Sequence, residues 1–249
     1  MSAKDVLPDV RVFPSAPALS EAAAAWVADE LAGSVSARGR ASFVLSGGST
    51  PRTLYELLGG RFKDRIPWPG VHVFWSDERY VPHDHPLSNY RMAKEALLDH
   101  AGIPSAQIYP MPTHFPEPQA AARDYETAVA RYFAGTPPVF DVVLLGIGAD
   151  GHTASVFPGS SAITSSRVVV AVTAPAELPA RLTLTLPVIA SARRIGVLVT
   201  GAGKAAALAA ALGGRHSELP AAVLARTAST AVWWVDRDAR ADPDEGGPR

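Results

Sequence analysis

Asp150 and His152 stand two residues apart in a turn built on three glycines, Gly146, Gly148 and Gly151. A carboxylate beside an imidazole is a minimal set for orienting a base and moving a proton. Cationic side chains recur in other turns: Arg79 in Ser76-Asp77-Glu78-Arg79, and Lys204 in Thr200-Gly-Ala-Gly-Lys204. A fourth turn, Ser46-Gly47-Gly48-Ser49-Thr50, offers backbone N–H groups and hydroxyls. N–H groups at a helix start and guanidinium or ammonium groups bind anions. Together these residues suit proton transfer on a small anionic molecule. Asp77 is assigned to orienting the reacting groups or to a substrate hydroxyl.

The elements that must carry these turns are legible from hydrophobic runs. Residues 142–145 are apolar without polar alternation, as expected of a strand buried on both faces of a parallel sheet, and 41–45, 71–75 and 194–199 are read as further central strands. Each runs into one of the four turns. Helical spacing follows or precedes them: Ala23, Val27, Leu31 and Val35 in residues 19–38; Leu54, Leu57 and Leu58 after Pro51; Ala122, Tyr125, Val129 and Phe133 in residues 119–134. Thr50 suits an N-cap and Pro51 the first helical position. Further helices are expected over 88–100, 186–192, 205–212 and 219–225. Strands are expected at 10–13, 168–172 and 231–235. Leu182-Thr-Leu-Thr-Leu186 alternates, as a half-exposed strand would. The predicted fold is α/β: a layered, Rossmann-like, mostly parallel sheet flanked by helices. It is read as one domain over 1–235, with a charged tail, 236–249, read as disordered. In such a sheet, ligands bind beyond the carboxyl ends of the strands, where all four turns are expected to converge.

Other readings of the same motifs fit less well. Gly146 to Gly151 matches G-x-G-x-x-G, but Pro158 and Gly159 interrupt the required helix, and the strand at 168–172 ends in Thr173 rather than a carboxylate. The segment ending at Lys204 is no P-loop, because position 198 is Leu and position 205 is Ala. A lysine at a helix start is disfavoured by the helix dipole, so Lys204 is read as awaiting an anion. Arg79 has two readings, a bidentate phosphate contact or a partner for Asp77 or Glu78. His83-Asp84-His85 lies in a loop beside prolines with no third ligand, so no metal site is assigned.

The chain has 249 residues and a net charge of −1, which argues against non-specific nucleic-acid binding. It has no cysteine, hence no disulfide, thiolate metal site or thiol nucleophile, which is compatible with the cytoplasm. No signal-peptide pattern opens the chain, and no apolar run has the length of a membrane span. Oligomeric state is not legible, and a monomer is compatible with the sequence.

Five segments, Leu45–Pro51, Trp75–Pro82, Ser88-Asn-Tyr-Arg91, Gly146–Gly159 and Thr200–Lys204, together resemble the 6-phosphogluconolactonases, a group related to glucosamine-6-phosphate isomerase/deaminase. The likeness spans about residues 40–235. It implies hydrolysis of 6-phosphoglucono-δ-lactone to 6-phosphogluconate in the pentose phosphate pathway without a cofactor. It also implies a sugar-phosphate partner, with no nucleic acid and no membrane. His152 and Asp150 become the catalytic candidates. Gly47, Gly48, Ser49, Thr50, Asp77, Arg79, Arg91 and Lys204 become the substrate and phosphate candidates. The related deaminases typically carry Asn-Glu-Pro where this chain has Val156-Phe157-Pro158. A non-catalytic sugar-phosphate sensor on the same fold is a further alternative.

Overall fold

The computed structural model describes residues 8–175, 178–213 and 217–240. The described residues form a six-stranded sheet in which every paired strand is parallel, in the order β1-β9-β8-β5-β2-β3. The strands are β1 (Asp9–Phe13), β2 (Ala41–Leu45), β3 (Val71–Trp75), β5 (Val142–Gly146), β8 (Arg194–Val199) and β9 (Ala231–Asp236). β2 and residues 142–145 of β5 are fully buried; the β5 run is apolar throughout, and Ser42, the polar residue of β2, donates its N–H and hydroxyl to Asp141 Oδ2.

The chain steps outward from β2 to β3, then returns past β2 to β5. The strand order therefore reverses between β2 and β5. Right-handed crossovers that run in opposite directions lie on opposite faces of a sheet. Helices α1 (Ala16–Arg38) and α2 (Ser49–Gly59) accordingly pack together on the face of Phe43, whose ring meets Tyr55 of α2. The return helix α5 (Pro118–Tyr132) lies on the opposite face, where Tyr132 meets Phe74 edge-on. A crevice opens where the reversal separates the carboxyl ends of β2 and β5.

The segment after β3 departs from the expected turn. Ser76 N–H still donates to Leu45 O of β2, but Ser76 O accepts from Leu184 N. The chain thus changes partner and runs on as β4 (Asp77–Arg79). This is one strand of a second, antiparallel sheet with β7 (Arg181–Leu184) and β6 (Val169–Val172), in the order β4-β7-β6. The half-exposed strand expected from the 182–186 alternation is corrected here. Leu182, Thr183 and Leu184 are all buried, and the Thr183 hydroxyl donates to Leu184 O and accepts from Ser155 N. A threonine whose hydroxyl finds partners can occupy a core position.

Two helix starts also differ from expectation. Gly48, at φ 112°, precedes α2, so Thr50 is inside the helix and its hydroxyl bonds that of Thr200 at 2.6 Å. Helix α3 (Asn89–Ala93) is capped by Ser88 and continues through a π-turn (Lys94–Leu98) into α4 (Asp99–Ala101). After β7 come α6 (Leu186–Ala190), α7 (Ala205–Gly213) and α8 (Pro220–Thr227).

The ordered body extends beyond residue 235. Asp236 ends β9 and is buried, with its carboxylate accepting from Gly201 N and Ala239 N, and Arg237–Arg240 forms α9. The rest of the predicted tail, 241–249, lies outside the described residues.

Candidate active site

The turn after β5 is braced from within. Gly148 N donates to His152 O, Gly151 N to Gly148 O, and the Thr153 hydroxyl to Gly146 O. This folding turns the His152 ring back over Gly148, where Nδ1 lies 2.6 Å from Asp150 Oδ1. A Cβ at Gly148 would overlap both His152 Nδ1 and Asp150 Oδ1, so the pair needs a glycine there. The Asp150 carboxylate also accepts from His152 N at 3.3 Å. Asp150 is held below the usual carboxylate range. Partial burial opposes its ionised form, but the His152 charge and the hydrogen bonds outweigh it. Ala154, two residues on, has φ 48°, a left-handed conformation costly for a non-glycine and typical of functional loops.

Asp77 is 7% exposed at the head of β4. Its Oδ2 accepts from the Ser155 hydroxyl at 2.6 Å, and its Oδ1 from Ser76 Oγ and Asn89 Nδ2. The loop after β5 and the segment after β3 are therefore joined at this carboxylate. The neighbouring Glu78 is buried and gathers the backbone N–H groups of Arg79, Asn89 and Tyr90 with the Ser88 hydroxyl. Burial raises its pKa, and the N–H bonds act in the opposite sense. Glu78 thus ties the start of α3 to β4 and fixes Asn89 beside Asp77. Gly47 must be glycine for the same reason, because a Cβ there would overlap the Asn89 amide.

These groups border one cleft of about 260 Å³, lined by Gly47, Gly48, Asp77, Arg79, His152 and Arg181 among others. Arg181 has no counterpart among the sequence-derived candidates. It stands opposite Arg79 in the β4–β7 register. Like charges directly opposed across strands destabilise a sheet unless something neutralises them. Burial, then the charge of Arg79, lowers the Arg181 pKa. Neither guanidinium pairs with a carboxylate among the described residues, and the buried Nε of each has no acceptor. Among the described residues the Arg79 guanidinium donates only from Nη1, to Leu87 O. Its second sequence reading, an ion pair with Asp77 or Glu78, is not what the structure holds.

The remaining candidates are distributed as follows. Asp150 stands behind His152 rather than lining the cleft. Arg91 lines a neighbouring cleft with Ser49, donating from Nε to Glu95 and from Nη1 to Asp84 O. Lys204 ends a 3₁₀ turn (Ala202–Lys204) before α7, has no carboxylate partner among the described residues, and does not line the cleft. The Thr50–Thr200 bond holds that turn against the start of α2. His83 bonds Met111 O and His85 accepts from Leu87 N, so both serve the loop. In the turn after β5 the N–H groups of Gly148, Gly151 and His152 are already engaged, so they are not free to stabilise an oxyanion.

An imidazole–carboxylate pair, with two arginines that have no carboxylate partner among the described residues, at the reversal point of a parallel sheet, is a set suited to acid–base chemistry on a small anion, as in an α/β enzyme. The chain belongs to the glucosamine-6-phosphate isomerase/6-phosphogluconolactonase family, whose model matches residues 14–234. It is 45% identical over 204 residues to a 6-phosphogluconolactonase of Synechocystis, covering 81% of this chain and 83% of the relative. Among solved structures it resembles a 6-phosphogluconolactonase from Trypanosoma cruzi, with TM-score 0.84 and 30% identity over 96% of this chain and 98% of the other. It also resembles a monomeric glucosamine-6-phosphate deaminase, with TM-score 0.77 and 25% identity over 93% and 98%.

Proposed function

We infer that this protein hydrolyses 6-phospho-D-glucono-1,5-lactone to 6-phosphogluconate in the pentose phosphate pathway, with His152 as general base. The observation that carries the mechanism is the 2.6 Å contact between His152 Nδ1 and Asp150 Oδ1. A carboxylate at Nδ1 fixes the tautomer with the proton on that nitrogen and leaves Nε2 as the base. Nε2 takes a proton from water as the water oxygen bonds to the lactone carbonyl carbon. The tetrahedral adduct collapses, the ring C–O bond breaks, and the imidazolium returns its proton to the departing ring oxygen. The new carboxylic acid ionises in solvent, and the base is regenerated. Asp150 stabilises the imidazolium, and Asp77, fixed by Ser155 and Asn89, receives a substrate hydroxyl.

The substrate phosphate, about −1.5 to −2 in charge at neutral pH, meets Arg79, Arg181 and the Gly47–Gly48 turn, with Lys204 adding charge from the adjoining turn. Closing two opposed guanidinium groups on one dianion removes their mutual repulsion. No step needs a cofactor or metal. Among the described residues no helix is long and apolar enough to cross a membrane. A cytoplasmic location belongs to the same reading and rests on the composition.

The direct test measures acid release from the lactone against its spontaneous hydrolysis, with EDTA present and no cofactor added. Turnover at the spontaneous rate sinks the assignment. Arg181→Ala is expected to raise KM about ten- to a hundredfold with a smaller change in kcat, since a charge-assisted hydrogen bond contributes about 1.5–3 kcal/mol. An unchanged KM removes Arg181 from phosphate binding.

A further inference from the structure

A second cleft, of about 370 Å³, adjoins the first, and Arg79, Gly48 and Asn89 border both. Its walls bring Arg52 from α2 and Arg91 from α3 to the far side of Arg79. Three guanidinium groups thus face one carboxylate, Glu95. That carboxylate is shared: it accepts from Arg91 Nε at 2.8 Å and from Arg52 Nη2 at 3.2 Å. The Arg91 hydrogen bond leads the effects that hold Glu95 below its usual pKa. Arg52 touches one other acid, Glu56, one turn along α2 at 3.4 Å. The Arg52, Arg91 and Glu95 side chains are all 43–50% exposed, and ion pairs of that exposure are weak and readily exchanged. Arg79 brings no carboxylate of its own, as shown above.

We propose that this second cleft is an anion site for a phosphate-class dianion, free or carried on a small metabolite, and that it shares Arg79 with the catalytic cleft. An incoming dianion displaces Glu95 from Arg52 and Arg91 and gains fork-shaped donors that a carboxylate already uses in this geometry. The excess of cations over anions around the cleft draws it in. Because Arg79 serves both clefts, an anion in the second draws that guanidinium from the substrate phosphate. Phosphate then inhibits in a way that excess substrate only partly relieves. The coupling through Arg79 rests on the catalytic reading above; the existence of the second site does not.

The test follows the arginine Nε–Hε NMR signals while inorganic phosphate is added. In the wild type, the Arg52 and Arg91 signals are expected to move together, with a dissociation constant different from that governing Arg181. Arg52→Ala is expected to weaken the Arg91 response at least about fivefold while leaving the Arg181 response and lactone turnover unchanged. Glu95→Gln, which removes the competing carboxylate, is expected to tighten the Arg91 response by about three- to tenfold. Arg52 and Arg91 signals that stay still while Arg181 moves overturn the second site. So does an Arg91 response indifferent to both substitutions. Repeating the titration with 6-phosphogluconate separates a free-phosphate site from one for a phosphorylated metabolite. An Arg52-dependent response to either ligand supports the site, and a response to neither overturns it. Absence of lactone turnover in the wild type counts against the catalytic reading alone, since the NMR response does not depend on it.

Discussion

His152→Ala is expected to lower kcat by about 10²- to 10⁴-fold, the range that a positioned general base contributes. Binding of 6-phosphogluconate should stay within about threefold of wild type, because the phosphate contacts lie on other elements. The reasoning is geometric. Nδ1 is committed to Asp150, so water has one nitrogen to approach, and among the described residues no other imidazole lines the cleft. The substitution also leaves the turn standing, because its bracing bonds use the backbone of Gly148, Gly151 and His152 and the Thr153 hydroxyl. A variant that keeps wild-type kcat removes His152 from the role of base. Asp150→Asn is the companion measurement: an amide can keep the contact but not stabilise an imidazolium. The Asp150 carboxyl is depressed in the folded protein, so its contribution is present above the unfolded value of about 3.9 and is lost as pH falls through the lower folded value. Between about pH 5 and 8 Asp150 stays ionised, and a change in rate over that window belongs to another group.

The two halves of this site differ in how far they could be read from the chain. Asp150 and His152 are two residues apart in a glycine-rich turn after an apolar strand, so a local signal brings them together. Gly148 adds a reason for the glycine beyond turn geometry, since the pair occupies the space a side chain would take. Arg181 could not be found that way. It lies about a hundred residues from Arg79, and its place depends on the chain after β3 leaving β2 for β7. A partner change of this kind has no local signature. The alternation Leu182-Thr-Leu184 even suggested a wet face, because hydrophobic pattern cannot tell an exposed threonine from one whose hydroxyl is bonded in the core. The place of Arg91 was illegible for a third reason. The segment Ser88–Arg91 does serve the site, but through Asn89, which bonds Asp77 O at 2.9 Å. Two residues further along α3, the side chain points to the neighbouring cleft. Helix phase at a capped start decides this, and it depends on Glu78 collecting the N–H groups of Asn89 and Tyr90. Thr50 misleads similarly, because Gly48 at φ 112° lets the helix begin before it.

The same cleft is expected to release ammonia from glucosamine 6-phosphate at less than about a hundredth of its lactone rate, although both sugar phosphates should compete for it. The likeness to a glucosamine-6-phosphate deaminase fold makes this distinction the sharper test of reaction type. Both molecules present a phosphate on a six-carbon skeleton, and Arg79 and Arg181 have no means of telling them apart. The difference arises after binding. Deamination needs ring opening, removal of a proton beside the carbonyl and protonation of the departing amine, a chain served by several acid–base groups. Here the group five residues after His152 is Phe157, whose ring centre lies 5.1 Å from the imidazole. A phenyl ring neither takes nor gives a proton, and its apolar face occupies the space beside the base. Asp77 remains in the cleft, but the Ser155 hydroxyl and the Asn89 amide hold it in one orientation. Losing one acid–base group from such a chain costs about 10²–10⁴-fold, which sets the expected ceiling on ammonia release. Lactone hydrolysis asks only for one activated water and one returned proton, a demand that one imidazole oriented by a carboxylate can meet. Ammonia release at a rate comparable to lactone turnover would falsify the hydrolase reading. Failure of glucosamine 6-phosphate to compete with the lactone would instead show that the phosphate is not what the two arginines hold.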